Sequence, residues 1–288
     1  MSTIKIVTDS TADIPNTLAE ELGITVVPLN VIFSDEEAYE DGVTLTADRF
    51  YEYVKERNVI PSTSQPTPYQ FEELYRSLSD KDTEIISIHL SSKLSGTYQA
   101  ATIAKQALEM DSIHVIDSKR ASYAIGIIVV EIAKYAKSGR SLEDCLSRLE
   151  ELLNDTTVYF MVDTLEYLQK NGRIGKASAL LGSMLKIKPI LSLNEAGEVY
   201  SFEKARGQKK ALNRILEVFD EQFGKEPVHV GISHAINEQY AHDVLSLCQQ
   251  RFNVQSDVVT SIGAVIGAHV GPGTIAISIT RATNEVVE

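Results

Sequence analysis

The stretch from Ile85 to Ala101, IISIHLSSKLSGTYQAA, constrains this chain more than any other. An apolar run closes at Leu90 and meets a hydroxyl-rich turn, Ser91-Ser92-Lys93-Leu94-Ser95-Gly96-Thr97. A helical pattern follows at once, with Tyr98, Ala101, Ile103, Ala104 and Leu108 recurring along one face. A strand apolar at successive positions is covered on both faces, as in a parallel sheet. Ile4 to Thr8 repeats the grammar. It ends at Asp9-Ser10-Thr11-Ala12-Asp13, and Ile14-Pro15 leads into a short helix through Leu22. A strand over Thr25 to Phe33, an acidic loop (Asp35 to Asp41) and a helix capped by Thr46 and running to Arg57 come next. Pro61, Pro66 and Pro68 mark the following segment as an extended loop without regular structure, before a helix over Tyr69 to Leu78. A strand at Ile113 to Ile116 and helices over Tyr123 to Lys137 and Ser141 to Leu153 complete the alternation. The Ser141/Asp144 pair approximates a capping box. Alternating strands and helices of this kind make a doubly wound parallel sheet.

The grammar changes after about Asn154. Thr157 to Val162 reads as a strand, and Leu165 to Gln169 and Lys176 to Met184 as short helices. Lys188 to Leu193 and Glu198 to Ala205 flank a hairpin signal at Asn194-Glu195-Ala196-Gly197. A helix (Gln208 to Phe223), a strand (Val228 to Ile232), a helix (Glu238 to Phe252), a strand (Gln255 to Val259), the small-residue run Ile262 to Ala268 and a last strand (Thr274 to Thr280) follow. The expected architecture is α/β: an N-terminal doubly wound domain over 1–155 and a C-terminal α+β domain over 156–288, with a ligand tunnel between or beside them.

A net charge of −13 over 288 residues argues against nucleic acid, whose phosphates require a concentrated basic surface. The N-terminus opens on a strand rather than a signal peptide. The most apolar run, Tyr123 to Val130, is cut short by Glu131 and Lys134, well below the ~20 residues of a membrane span. Cys145 and Cys248 lack motif spacing, as in a reducing compartment. A cytoplasmic protein without integral membrane segments is expected.

The start of the helix after Gly96 combines unpaired N–H groups with the hydroxyls of Ser92, Ser95 and Thr97, an arrangement that can hold an anion; a Ser-capped helix without ligand is the alternative. Other matches fail. Gly172 to Ser178 lacks the glycine spacing of a phosphate loop, and Gly271-Pro272-Gly273 leads into a strand rather than a helix. Ser233 sits on a strand-to-helix turn without the second glycine of a nucleophile elbow. His229 and His234 have no third ligand nearby, so no metal site is expected. Asp9 and Asp13 stand where α/β enzymes place metal or phosphate chemistry, or else they orient loops and cap the next helix. The Thr63-Ser64-Gln65 loop adds hydroxyls on a proline-pinned backbone. Arg206 adds a cation at a strand end, and His269 an imidazole whose protonated form a helix C-terminus favours. Together they form a receptor for a carboxylate or phosphate.

Several motifs carry a resemblance. Thr8-Asp9-Ser10, Asp13-Ile14-Pro15, Thr63-Ser64-Gln65-Pro66, Ser91-Ser92, Leu94-Ser95-Gly96-Thr97-Tyr98-Gln99 and Thr164-Leu165-Glu166-Tyr167-Leu168 resemble the DegV family. So do Arg173-Ile174, Lys188-Pro189-Ile190-Leu191 and the run from Gly263 through His269 to Gly273, in order along nearly the whole chain. The family comprises fatty-acid-binding proteins, among them the FakB subunits of bacterial fatty acid kinase. The resemblance implies a lipid-binding subunit for phospholipid synthesis that holds a long-chain fatty acid and has no catalytic residue or cofactor of its own. A fatty acid kinase catalytic subunit, the partner, supplies ATP and Mg and phosphorylates the bound carboxylate. It also implies that Thr63 and Ser95 bind the carboxylate, with Ser64, Ser92, Gly96, Arg206 and His269 as secondary head-group or phosphate contacts. Asn171 stands where the family usually has a second glycine, at a turn expected to be left-handed, and Thr274 where alanine is common. The rival classes are a stand-alone Mg-dependent phosphotransferase using Asp9 and Asp13, a serine hydrolase at Ser233, or a lipid-sensing regulatory module.

Overall fold

The computed structural model describes residues 3–182 and 187–282. Its first half runs β1 (Thr3–Asp9), α1 (Asn16–Leu22), β2 (Ile24–Val27), β3 (Asn30–Ser34), β4 (Glu37–Glu40), α2 (Ala47–Arg57), β5 (Ser62–Ser64), α3 (Pro68–Leu78), β6 (Thr83–His89), α4 (Thr97–Leu108), β7 (Ile113–Asp117), α5 (Tyr123–Lys137) and α6 (Leu142–Asp155). β2, β1, β6 and β7 form a parallel sheet in that order. Its apolar runs serve two cores. Ile6, Ile86 and Ile88 pack with α5 and α1, whereas Val7 and Ile85 pack with Phe71 and Tyr75 of α3 and the alanines of α4. Helices therefore cover both faces, as the uninterrupted apolar runs require.

The second half runs β8 (Thr157–Met161), α7 (Glu166–Lys170), a 3-10 turn (Gly175–Leu180), β9 (Lys188–Leu193), β10 (Val199–Ala205), α8 (Gln208–Phe223), β11 (Pro227–His234), α9 (Glu238–Arg251), β12 (Asn253–Ser261), α10 (Ala264–Val270) and β13 (Ile275–Arg281). The sheet order is β10-β9-β8-β13-β11-β12, with β11 and β12 parallel and the other pairs antiparallel. Side chains alternate across it. Tyr159, Met161, Ile190 and Ile277 face α8 and α9, while Val158, Phe160, Leu191 and Ala276 face the opposite way. That opposite face packs against Leu29, Val31, Phe50 and Val54 from the first half, so one core is assembled from both.

Several elements differ from the sequence expectation. The single strand over Thr25 to Phe33 is two, β2 and β3, in different sheets. Pro28 has no N–H for a ladder, and the Leu29 amide is taken by Ser10 Oγ at 3.1 Å. The acidic loop contains β4, which pairs with β3. The proline-pinned segment contains β5, an edge strand on β3, because Pro61 and Pro66 flank it and leave Ser62–Ser64 free to pair. The helix expected over Lys176 to Met184 is the 3-10 turn ending at Leu180, and residues 183 and 184 lie outside the described residues.

Candidate ligand-binding site

A cavity of about 330 Å³ lies in the shared core. Leu29, Leu90, Val158, Phe160, Leu168 and Val265 contribute to apolar walls, and Thr63, Ser64, Gln65, Ser95, Arg173 and His269 bring polar groups to the same space. Distant segments meet there for local reasons. Thr63 is the middle residue of β5, held by pairing with Val31. Ser95 closes a turn in which its amide donates to the Ser91 carbonyl at 3.1 Å. His269 occupies the last turn of α10, and Thr63 Oγ1 lies 2.9 Å from its Nε2. Arg173 follows α7 and donates through Nε to the Leu94 carbonyl at 2.9 Å, fixing the guanidinium beside the Ser95 turn.

The start of α4 is not an open anion seat. The Gly96 amide donates to Gln65 Oε1 at 2.9 Å, and Ser95 Oγ lies 3.0 Å from Thr97 Oγ1 and accepts from the Thr97 amide at 3.4 Å. A Cβ on Gly96 would collide with the Gln65 carboxamide, so glycine permits this approach. What the turn contributes to the cavity is the Ser95 side chain.

His269 also departs from expectation. Burial, and then the Arg173 guanidinium, push its pKa down to about 4, so the imidazole is neutral at neutral pH despite its helix C-terminus. Its Nδ1 is buried without a hydrogen-bond partner among the described residues. The pairing with Thr63 leaves two tautomers. If Thr63 donates to Nε2, Nδ1 carries the N–H; if Nε2–H donates to Thr63, the hydroxyl hydrogen is free. In the second form the Thr63 hydroxyl can donate to an acceptor ligand, and the exchange costs no charge.

Of the residues expected from sequence, Thr63, Ser64, Ser95 and His269 line the cavity together. Three others sit differently. Ser92 is exposed and donates to Asp117 Oδ2 at 2.6 Å. Gly96 spends its amide on Gln65. Arg206 is exposed just past β10 and is not among the lining residues; the cation in the lining is Arg173. Asn171 is not left-handed (φ −91°); Gly172 takes that conformation at φ 70°. Thr274 caps the end of α10, donating to the Gly271 carbonyl at 2.9 Å.

Asp9 and Asp13 spend their carboxylates on hydrogen bonds within the fold. Asp9 is fully buried and accepts from the Thr11 amide and hydroxyl, the Leu90 amide and His89 Nδ1. Asp13 accepts from Ser122 Oγ at 2.5 Å and the Gly263 amide at 2.8 Å, while Asp41 accepts from the Ala264 and Val265 amides. These two carboxylates moor the start of α10. Burial raises both pKa values, that of Asp41 to about 6. Ser233 is fully buried, and its hydroxyl has no hydrogen-bond partner among the described residues; the burial removes it as an accessible nucleophile. Among the described residues no group of three or more His, Cys, Asp or Glu could hold a metal, and no helix is long and apolar enough to cross a membrane.

Known proteins share this arrangement from end to end. The DegV family's sequence pattern matches residues 3–282. Protein DegV of Bacillus subtilis is 38% identical over 276 residues, 95% of this chain and 98% of that one. The structure of a fatty-acid-binding DegV family protein from Thermus thermophilus superposes with a TM-score of 0.91 at 36% identity, over 98% of this chain and 100% of that one. The crystal structure of DegV, a fatty acid binding protein from Bacillus subtilis, does so with a TM-score of 0.87 at 37% identity, over 98% and 100% of the two chains. This chain belongs to the DegV family.

Proposed function

We propose that the chain binds a long-chain fatty acid, enclosing the acyl chain in the cavity and presenting the carboxylate to a partner ATP-dependent kinase. The observation that carries the binding is one cavity joining apolar walls from both halves to Thr63, Ser95, Arg173 and His269. The fatty-acid-binding relatives from Thermus thermophilus and Bacillus subtilis support it. Burying a sixteen-carbon chain yields on the order of 10 kcal/mol gross at ~0.8 kcal/mol per CH₂. Each hydrogen bond to the carboxylate adds about 1.5–3 kcal/mol. The tail thus sets affinity, and Thr63, Ser95 and the Arg173 charge fix orientation.

The resemblance to fatty acid kinase subunits supports the second half of the proposal. A carboxylate oxygen attacks the γ-phosphorus of ATP held with Mg on the partner, giving acyl phosphate and ADP. This chain contributes no reacting side chain to that step and no cofactor. Arg206, in an exposed basic run with Lys204, Lys209 and Lys210, meets the phosphate or the partner rather than the acyl cavity.

Lipid extraction and mass analysis of the purified protein test binding: a long-chain fatty acid is expected, and the Thr63→Ala/Ser95→Ala double variant should hold it less tightly. Absence of lipid together with no uptake by stripped protein overturns the reading. Arg206→Ala should retain fatty acid and lose acyl phosphate formation in a reconstituted pair; full turnover would remove Arg206 from that step.

A further inference from the structure

Asn171 closes α7 and is half-buried, and its backbone needs no special residue. Its side chain bridges the segment leading into β5 and the last turn of α10. Nδ2 donates to the Pro61 carbonyl at 3.0 Å and to the Ala268 carbonyl at 2.7 Å. Both partners are acceptors, so the amide can face only one way and both of its hydrogens are used. Pro61 leads into β5 and Thr63; Ala268 is the neighbour of His269. The Asn171 carbonyl in turn accepts from Arg173 Nη1 at 2.6 Å. One residue thus touches the mounts of three groups that line the cavity.

We propose that Asn171 is a positioning residue: its carboxamide ties the segment carrying Thr63 to the helical turn carrying His269 and sets the spacing at which a carboxylate is received. A glycine, serine or alanine at 171 cannot supply two divergent N–H groups, and a carboxylate would face two carbonyls with none. Without the tie, Thr63 and His269 are joined directly only by their own hydrogen bond, the one a ligand competes for. The proposal rests on the fatty-acid reading for its ligand.

The test titrates the histidine rings by NMR in lipid-extracted wild type, Asn171→Ala and Asn171→Leu, the last keeping volume while removing both donors. Wild-type His269 should stay neutral to about pH 4. In both variants water reaches the opened Pro61–Ala268 seam, and the midpoint should climb by about one unit, a tenfold gain in proton affinity. The backbone amide spectrum away from the Pro61–Ala268 seam serves as internal control and should be preserved, which a general loosening would not achieve. Protein reloaded with carboxyl-labelled palmitate should show a carboxyl resonance displaced from the wild-type position. A His269 midpoint unchanged within about 0.3 unit in both variants overturns the proposal. If neither variant folds, the wild-type Asn171 side-chain amide protons decide: slow exchange supports the tie, and exchange as fast as a free carboxamide overturns it. A shifted His269 in protein that takes up no palmitate upholds the positioning role and refutes the fatty-acid reading instead.

Discussion

Acid should destabilise the lipid-free protein through His269 by an amount the structure sets. In the folded chain the ring resists protonation to about pH 4, whereas its ordinary value is 6.5. Between those values the unfolded state binds a proton that the folded state does not. Stability therefore rises with pH across the window and is lost as pH falls through it. The gap of about 2.5 units, at about 1.4 kcal/mol each, makes the complete loss about 3 kcal/mol, of which about 2 kcal/mol falls between pH 7 and pH 4.5. The assay is urea unfolding of lipid-extracted wild type and His269→Gln at those two pH values. Glutamine has no charge to gain, so the wild type should lose about 2 kcal/mol more than the variant over the interval. The subtraction removes Asp13 and Asp41, whose raised pKa values act with the opposite sign: the folded state takes up their protons first, which stabilises it as pH falls toward the ordinary carboxylate range. Equal acid sensitivity in the two proteins would refute a dry, neutral His269.

Thr63→Val keeps the shape of β5 but leaves His269 Nε2 without its partner, so thermal or urea unfolding should report a loss of about 1–3 kcal/mol. Ala276→Phe directs a ring from β13 into the cavity; mass analysis of bound lipid should shift to shorter chains, and an unchanged lipid profile would show that the acyl chain lies elsewhere. Gly231→Ala pushes a methyl into the Tyr123 ring where α5 crosses β11; with that ring only 1% exposed and unable to retreat, unfolding should show a loss of about 1–3 kcal/mol.

The parallel sheet was legible because β1 and β6 are apolar at successive positions, which only cover on both faces explains. The hairpin at Asn194 to Gly197 and the helix Gln208–Phe223 were legible from turn chemistry and period. The division between β2 and β3 was not, since the apolar run continues through the break and only partners in different sheets separate the two. Thr63, Ser95 and His269 could be gathered as candidates from residue type, in a proline-pinned loop, a hydroxyl-rich turn and a helix end, and from the family resemblance. Arg173 could not: it reaches the site through a carbonyl 79 residues away, and its surroundings suggested a family motif and a failed phosphate loop but no place at the site. Arg206 drew attention by the same strand-end logic as Ser95, which lines the cavity, but its position past β10 points to the surface. His269 was expected to carry charge from its helix end, and burial outweighed that because α10 is only seven residues long and sunk in the core. For Asp13 the sequence offered metal or phosphate chemistry or a local cap, yet its carboxylate receives an amide 250 residues downstream.

The contact between Thr63 and His269 spans 206 positions of the chain. A polypeptide emerging from a ribosome therefore displays β5 and the Ser95 turn long before the imidazole exists to meet them. Such a fragment owns the apolar strands but not the cavity that His269 helps to line, and that cavity is complete only when synthesis has passed α10 and the helix has docked. A completed cavity thus doubles as a certificate that the two halves of the chain have found each other.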